Sequence, residues 1–212
     1  MSTYCESGIG LFDTQAINTI SNIVIIISAY FSYRLVRIHR IENLTIRILP
    51  LIVLLIGIGS MLWHGTPNLL TSWADTLPIS VFVLVSFFFL LGKFLSNRNF
   101  VWGTLFVFIL IEFPFIFGIL PSFNGFIPYS IALIFGLFIF LGLAKRYKIF
   151  IPQLALIIPL FISSFFFRTI DLTICSTFPV GTHFIWHILN ASVFYLFIRL
   201  FVKIEAKYLN KK

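Results

Sequence analysis

Charge is what this sequence has least of. Only seven of its 212 residues are acidic, and all charged residues together make up 10% of the chain. A soluble domain of this size carries about 25%, so there is too little charge for a surface that faces water all round. The opening stretch MSTYCESGIGLFDTQ lacks a basic n-region, so no cleaved signal peptide is expected. No internal repeat, heptad or low-complexity tract is present, and no stretch is polar enough to form a separate soluble domain. The missing repeat speaks against a transporter. The missing basic domain excludes a nucleic-acid partner despite a net charge of +8.

What fills the chain instead is apolar. Hydrophobic residues make up 59% of it, 28 residues are Phe, and the mean hydropathy is +1.05. These residues come in long runs close to the ~20 residues that cross a bilayer. Helix is the only secondary structure that satisfies a lone spanning segment's backbone in lipid. The expected fold is an all-α membrane protein, a seven-transmembrane helix bundle in one domain over 1–212. Its spans fall at about 17–37, 46–64, 75–93, 100–119, 126–144, 150–167 and 182–203. Most prolines, Pro78 among them, fall near span ends, whereas Pro114 and Pro159 are internal.

Basic residues orient the bundle. Arg34, Arg37, Arg40 and Arg47 follow the first span, Lys93 and Arg98 the third, and Lys145, Arg146 and Lys148 the fifth. Arg199, Lys203, Lys207, Lys211 and Lys212 belong to the C-terminal end. All of these fall on one side of a seven-span topology, and only Arg168 falls on the other. By the positive-inside rule the C-terminus is cytoplasmic and the N-terminus is outside or lumenal. His39 lies in a basic cytoplasmic loop and reads as solvated.

The remaining polar residues converge on the opposite, outer end. The second span ends GIGSMLWHGT, with Ser60 and His64; SWADTLP puts Asp75 at the start of the third. FFFRTIDLTIC ends the sixth span with Arg168 and Asp171, and GTHFIWHILN opens the seventh with His183 and His187. Residues at i and i+4 share a helix face about 5–6 Å apart, so His183 and His187 can address one ion and His64 can add a third nitrogen. Three protein ligands and one open position are the usual catalytic zinc arrangement. The plainer alternative is that the imidazoles hydrogen-bond across the bundle. Intramembrane ionisable groups are costly and usually functional, and three at one depth favour the metal reading.

Taken in order, YCE, NTISN, GSMLWH, ADTLP, DLTIC and HFIWH span nearly the whole chain. Together they resemble the alkaline ceramidases, within the CREST superfamily of seven-span metal-dependent hydrolases. The resemblance implies a zinc ion held by His64, His183 and His187, and hydrolysis of the amide of ceramide to a sphingoid base and a fatty acid. It implies Asp75 as general base and Ser60 as a donor to the developing oxyanion. For Asp75 the alternative is an N-cap of the third span; for Ser60 it is helix-to-helix hydrogen bonding. Asp171 orients a ligand histidine, pairs with Arg168, or is structural, the last being preferred. Three histidines with an open site favour zinc over other divalent ions. The family also implies a disulfide between Cys5 and Cys175, which would staple the N-terminus over the site mouth; two free thiols are the alternative.

One region departs from the family pattern. Animal alkaline ceramidases carry an acid-rich calcium site beginning in a W-C-E-type motif. Here Tyr4 stands for the tryptophan, Glu6 and Asn18 match, Gln15 stands for a second acid and Gly8 for a polar ligand, with Asp13 two residues out of register. Calcium prefers several hard oxygens, so no tight calcium site is expected, and Glu6 and Asn18 become hydrogen-bonding partners that hold the N-terminal segment. Glu112, in the fourth span, reads as structural. The expected partners are the membrane and a lipid substrate, in a bacterial cytoplasmic membrane or a eukaryotic endomembrane. Two other classes stay open: a related hydrolase acting on another lipid amide or ester, and a PAQR-like receptor with a structural metal. The short loops leave a receptor little cytoplasmic surface for a partner.

Overall fold

In a computed structural model the described residues are 4–7, 15–121, 126–146 and 151–209. Gly8, Asp13, Lys148, Lys211 and Lys212 lie outside them. The helices are α1 (Ala16–Ser21), α2 (Ile23–Ile38), α3 (Leu44–Arg47), α4 (Leu49–Gly65), α5 (Leu69–Phe94), α6 (Arg98–Ile116), α7 (Phe126–Arg146), α8 (Ile151–Ile170) and α9 (His183–Leu209). A 3-10 turn, Asp171–Thr173, follows α8. No strand occurs among the described residues. Among the described residues seven helical segments are long and apolar enough to cross a membrane, α1 with α2 forming one and α3 with α4 another. Only Asn22 separates α1 from α2, and its backbone stays in the right-handed helical region (φ −67°, ψ −15°).

Local chemistry sets the helix starts. Asn43 caps α3 by accepting from the Thr45 amide at 3.0 Å, and Asn97 caps α6 by accepting from Asn99 at 2.9 Å. The start of α5 differs from the sequence expectation. Asn68 Oδ1 accepts from the Thr71 amide at 3.0 Å, and Thr71 Oγ1 accepts from the Asn68 amide at 2.9 Å. This reciprocal cap starts the helix at Leu69. Asp75 is therefore inside α5, which removes the N-cap reading, and Pro78 is an internal proline rather than a terminal one.

The chain forms two compact units. The first comprises residues 1–80 and 156–212, the second residues 81–155. In the first, α2, α4 and α9 pack on one another, and α1 packs on α4 and α9. Ile25 and Ala29 of α2, Val53 and Ile56 of α4 and Ile198 and Phe201 of α9 are buried. Ser28 of α2 donates to the Ala191 carbonyl of α9 at 2.7 Å, a polar tie of the kind that joins helices in lipid. The second unit is held by aromatic packing. Phe87, Phe108 and Phe135 form a triangle with centroids 4.9–5.1 Å apart, within the range of favourable ring pairs.

One contact in the first unit brings two candidate site residues close to each other. Pro78 has no N–H, so the Ala74 carbonyl one turn earlier loses its helical partner. Gly59 of α4 lies against that carbonyl so closely that a Cβ on it would overlap Ala74 O. The missing side chain lets α4 and α5 meet there. Ser60 and Asp75 are each the next residue along.

Candidate metal centre

His64 sits near the end of α4, His183 is the first residue of α9, and His187 follows one turn later. Their ring centroids are 5.1 Å (His64–His183), 4.9 Å (His64–His187) and 4.6 Å (His183–His187) apart. One ligand atom from each lies within 4.8 Å of the other two, and all three residues are buried. His64 Nε2 and His183 Nδ1 are buried with no hydrogen-bond partner among the described residues. An orphaned buried ring nitrogen costs free energy unless something engages it. Converging neutral imidazoles are a donor set suited to a divalent transition metal, so this cluster can hold a metal ion.

Part of the shell around the three histidines comes from the N-terminal segment. The Tyr4 ring lies 4.0 Å from that of His183 and 4.9 Å from that of His64. Burial raises the Tyr4 phenol above its ordinary range, so it stays protonated near neutral pH. Cys5 is joined to Cys175 in a disulfide. Asp171, fully buried, collects backbone amides: Oδ2 accepts from Cys5 at 3.1 Å, and Oδ1 accepts from Thr182 at 2.7 Å and His183 at 3.0 Å. Its carboxylate thus caps α9, where the helix dipole favours negative charge. It fixes His183 through the backbone and leaves the imidazole alone. Gly181 permits this, with φ +70° and no room for a Cβ, which would meet Cys5 Cβ at 2.7 Å. Arg168 lies over the Trp186 ring, 5.1 Å from its centroid.

Glu6 behaves in the same way as Asp171. Its Oε1 accepts from the Ile17 amide at 2.6 Å and its Oε2 from the Asn18 amide at 2.9 Å, capping α1. The Asn18 carbonyl accepts from Ser21 Oγ and from Asn22 Nδ2, both at 2.8 Å. Ser60, buried one turn before His64, is within hydrogen-bonding reach of the Asp75 carboxylate.

A family model described as Ceramidase matches residues 4–212. The chain belongs to the Ceramidase family. No curated protein matched in a separate comparison. Membership brings with it a hydrolase of amide bonds and a lipid substrate in the membrane. Within this ceramidase-family chain, the fold brings His64, His183 and His187 together, sets Ser60 within reach of Asp75, and places Asp171 on backbone amides. Two contributors had no assigned role from sequence. Gln15, expected only as a lost acid, touches His64, and Ser21 touches His187. Ser21 lies one turn after Asn18 in NTISN, but nothing along the chain names its partner.

Proposed function

We propose that this protein is a zinc-dependent intramembrane amidase that hydrolyses ceramide to a sphingoid base and a free fatty acid. The observation that carries this reading is the buried three-histidine cluster in a chain of the Ceramidase family. His64, His183 and His187 would hold the zinc, which when bound would supply a Lewis acid that polarises a carbonyl and acidifies water. Asp75 takes the proton of the attacking water and delivers it to the departing nitrogen, so that a C–O bond forms as the C–N bond breaks. The Ser60 hydroxyl, beside Asp75, donates to the carbonyl oxygen as negative charge gathers on it. Asp171 and the Cys5–Cys175 bridge hold the N-terminal segment and the start of α9 in register. Glu6 serves as a backbone cap instead of a calcium ligand. The basic residues orient the bundle so that the site opens at the outer or lumenal face.

The test is paired. Wild type and the His183→Ala/His187→Ala variant are purified in detergent without chelators, bound metal is determined by mass spectrometry, and fatty-acid release from ceramides is assayed. Near-stoichiometric zinc and turnover, both lost in the variant, are expected. Zinc without release from any ceramide would move the substrate to another lipid. A wild type that carries no metal would sink the reading.

A further inference from the structure

The three candidate ligands are not equally supported from behind. His64 Nδ1 lies 2.6 Å from Gln15 Oε1. The Gln15 amide is itself pinned: Nε2 donates to Ser7 Oγ at 3.1 Å, and Oε1 also accepts from Asn18 Nδ2 at 3.2 Å. Gln15 is buried, and its backbone N–H donates to the His64 carbonyl at 3.2 Å. One residue therefore grips both the main chain and the ring of one ligand. An amide oxygen can only accept, so the ring nitrogen facing it must carry the proton. That leaves Nε2 as the atom with a free lone pair, and His64 Nε2 is the buried nitrogen without a partner.

His187 shows the same arrangement with a different residue. Its Nδ1 is 2.7 Å from Ser21 Oγ. The Ser21 hydroxyl has one proton and gives it to the Asn18 carbonyl at 2.8 Å. Ser21 therefore accepts from His187 Nδ1–H, and Nε2 is again the nitrogen left over. Both rear contacts come from the ends of one short helix, α1.

We propose that Gln15 is a positioning residue of the metal site, holding His64 as the Nδ1–H tautomer so that Nε2 is its ligating atom. This rests on the zinc reading above. A ligating histidine is usually oriented by a partner on its other nitrogen, and losing that partner costs about 10–100-fold in metal affinity. A neutral amide does this work here, where a carboxylate would add a charge to a buried site.

The experiment is zinc affinity by chelator competition on the full chain in detergent, with size-exclusion profile and disulfide content as folding checks. Gln15→Leu removes the acceptor and is expected to weaken zinc binding by about 10–100-fold. Gln15→Glu keeps an acceptor at the same reach and is expected to bind within about threefold of wild type or tighter. Ser7→Ala loosens the Gln15 tether but leaves Oε1 in place, and is expected to stay within about threefold. A second readout needs no variant at position 15. Histidine-selective 15N spectra of the zinc-loaded wild type report which nitrogen of each ring is protonated, with His64 assigned by comparison with His64→Gln. Protonated Nδ1 and metal-shifted Nε2 at His64 support the assignment, and the reverse pattern overturns it. Gln15→Leu that folds and binds zinc as tightly as wild type overturns it too, as does Gln15→Glu as weak as Gln15→Leu. In each of those cases the wild type still holds zinc, so the histidine site stands while the role of Gln15 falls. A wild type that holds no zinc overturns both.

Discussion

The two units of this protein bury different chemistry. Every buried polar side chain among the described residues lies in the unit of residues 1–80 and 156–212, except Ser86 and Glu112. Most polar groups of the first unit make hydrogen bonds, Glu6 and Asp171 with backbone amides, Gln15 and Ser21 with histidines, Ser28 with a carbonyl, although Asn18 Oδ1, Asn22 Oδ1 and Ser32 Oγ have no partner among the described residues. In the second unit Ser86 Oγ and Glu112 Oε1 have no partner among the described residues, and packing is carried by rings such as Phe87, Phe108 and Phe135. Buried polar groups are expensive unless satisfied. A unit that spends so many of them in a connected network is built to hold a site, and a unit that uses phenylalanine is built to fill space.

The sharpest way to test that contrast is to remove chemistry from the first unit without removing structure. Asp75→Asn keeps size and hydrogen-bonding capacity but abolishes the base. Amide hydrolysis is expected to fall by about 10²–10⁴-fold while bound zinc, measured by mass spectrometry, stays at the wild-type level. Equal turnover in the two proteins would remove Asp75 from the mechanism. Next in size is Gly59→Ala. A Cβ there would overlap the Ala74 carbonyl, so α4 and α5 must separate and carry Ser60 away from Asp75. Misplacement on this scale costs on the order of 100-fold in rate, read as kcat with ceramide. A fully active Gly59→Ala protein would show that the close approach is not needed.

The bridge comes third. Cys5→Ser/Cys175→Ser releases the N-terminal segment from the loop beyond Asp171. Stability is expected to drop by about 2–5 kcal/mol, seen as a lower thermal midpoint in detergent. Reducing agent should reproduce the shift in wild type and leave the double variant unmoved. The smallest effect belongs to the second unit. Glu112→Leu replaces a buried carboxyl that has an unpartnered oxygen with an apolar side chain, a change that ranges from neutral to stabilising by about 1–3 kcal/mol. The thermal midpoint should hold or rise, and zinc content should not change. A large loss of either would give Glu112 a role inside the site and blur the contrast between the units.

Much of this was legible along the chain, for local reasons. Seven long apolar segments follow from composition alone, and helical periodicity puts His183 with His187 and Ser60 with His64 on shared faces. The start of α5 was not legible, because its cap, Asn68 with Thr71, lies among polar residues ahead of the apolar run. That hid the interior position of Asp75 and the approach of Gly59 to the Ala74 carbonyl. Asp171 was placed near the right helix end, but its preference for backbone amides over Arg168 depends on the turn geometry that Gly181 allows.

By itself the sequence determined the class of protein, the number of apolar helices and the three histidines able to meet at one ion. These depend on residue type and on a fixed rise per residue, and both are local. Only the tertiary structure decided how those histidines are held. Gln15 meets His64 across a separation of 49 residues, and Ser21 meets His187 across 166. A hydrogen bond between such distant residues exists or fails within a few tenths of an ångström. That margin is set by how α1, α4 and α9 pack, which no periodicity along the chain records.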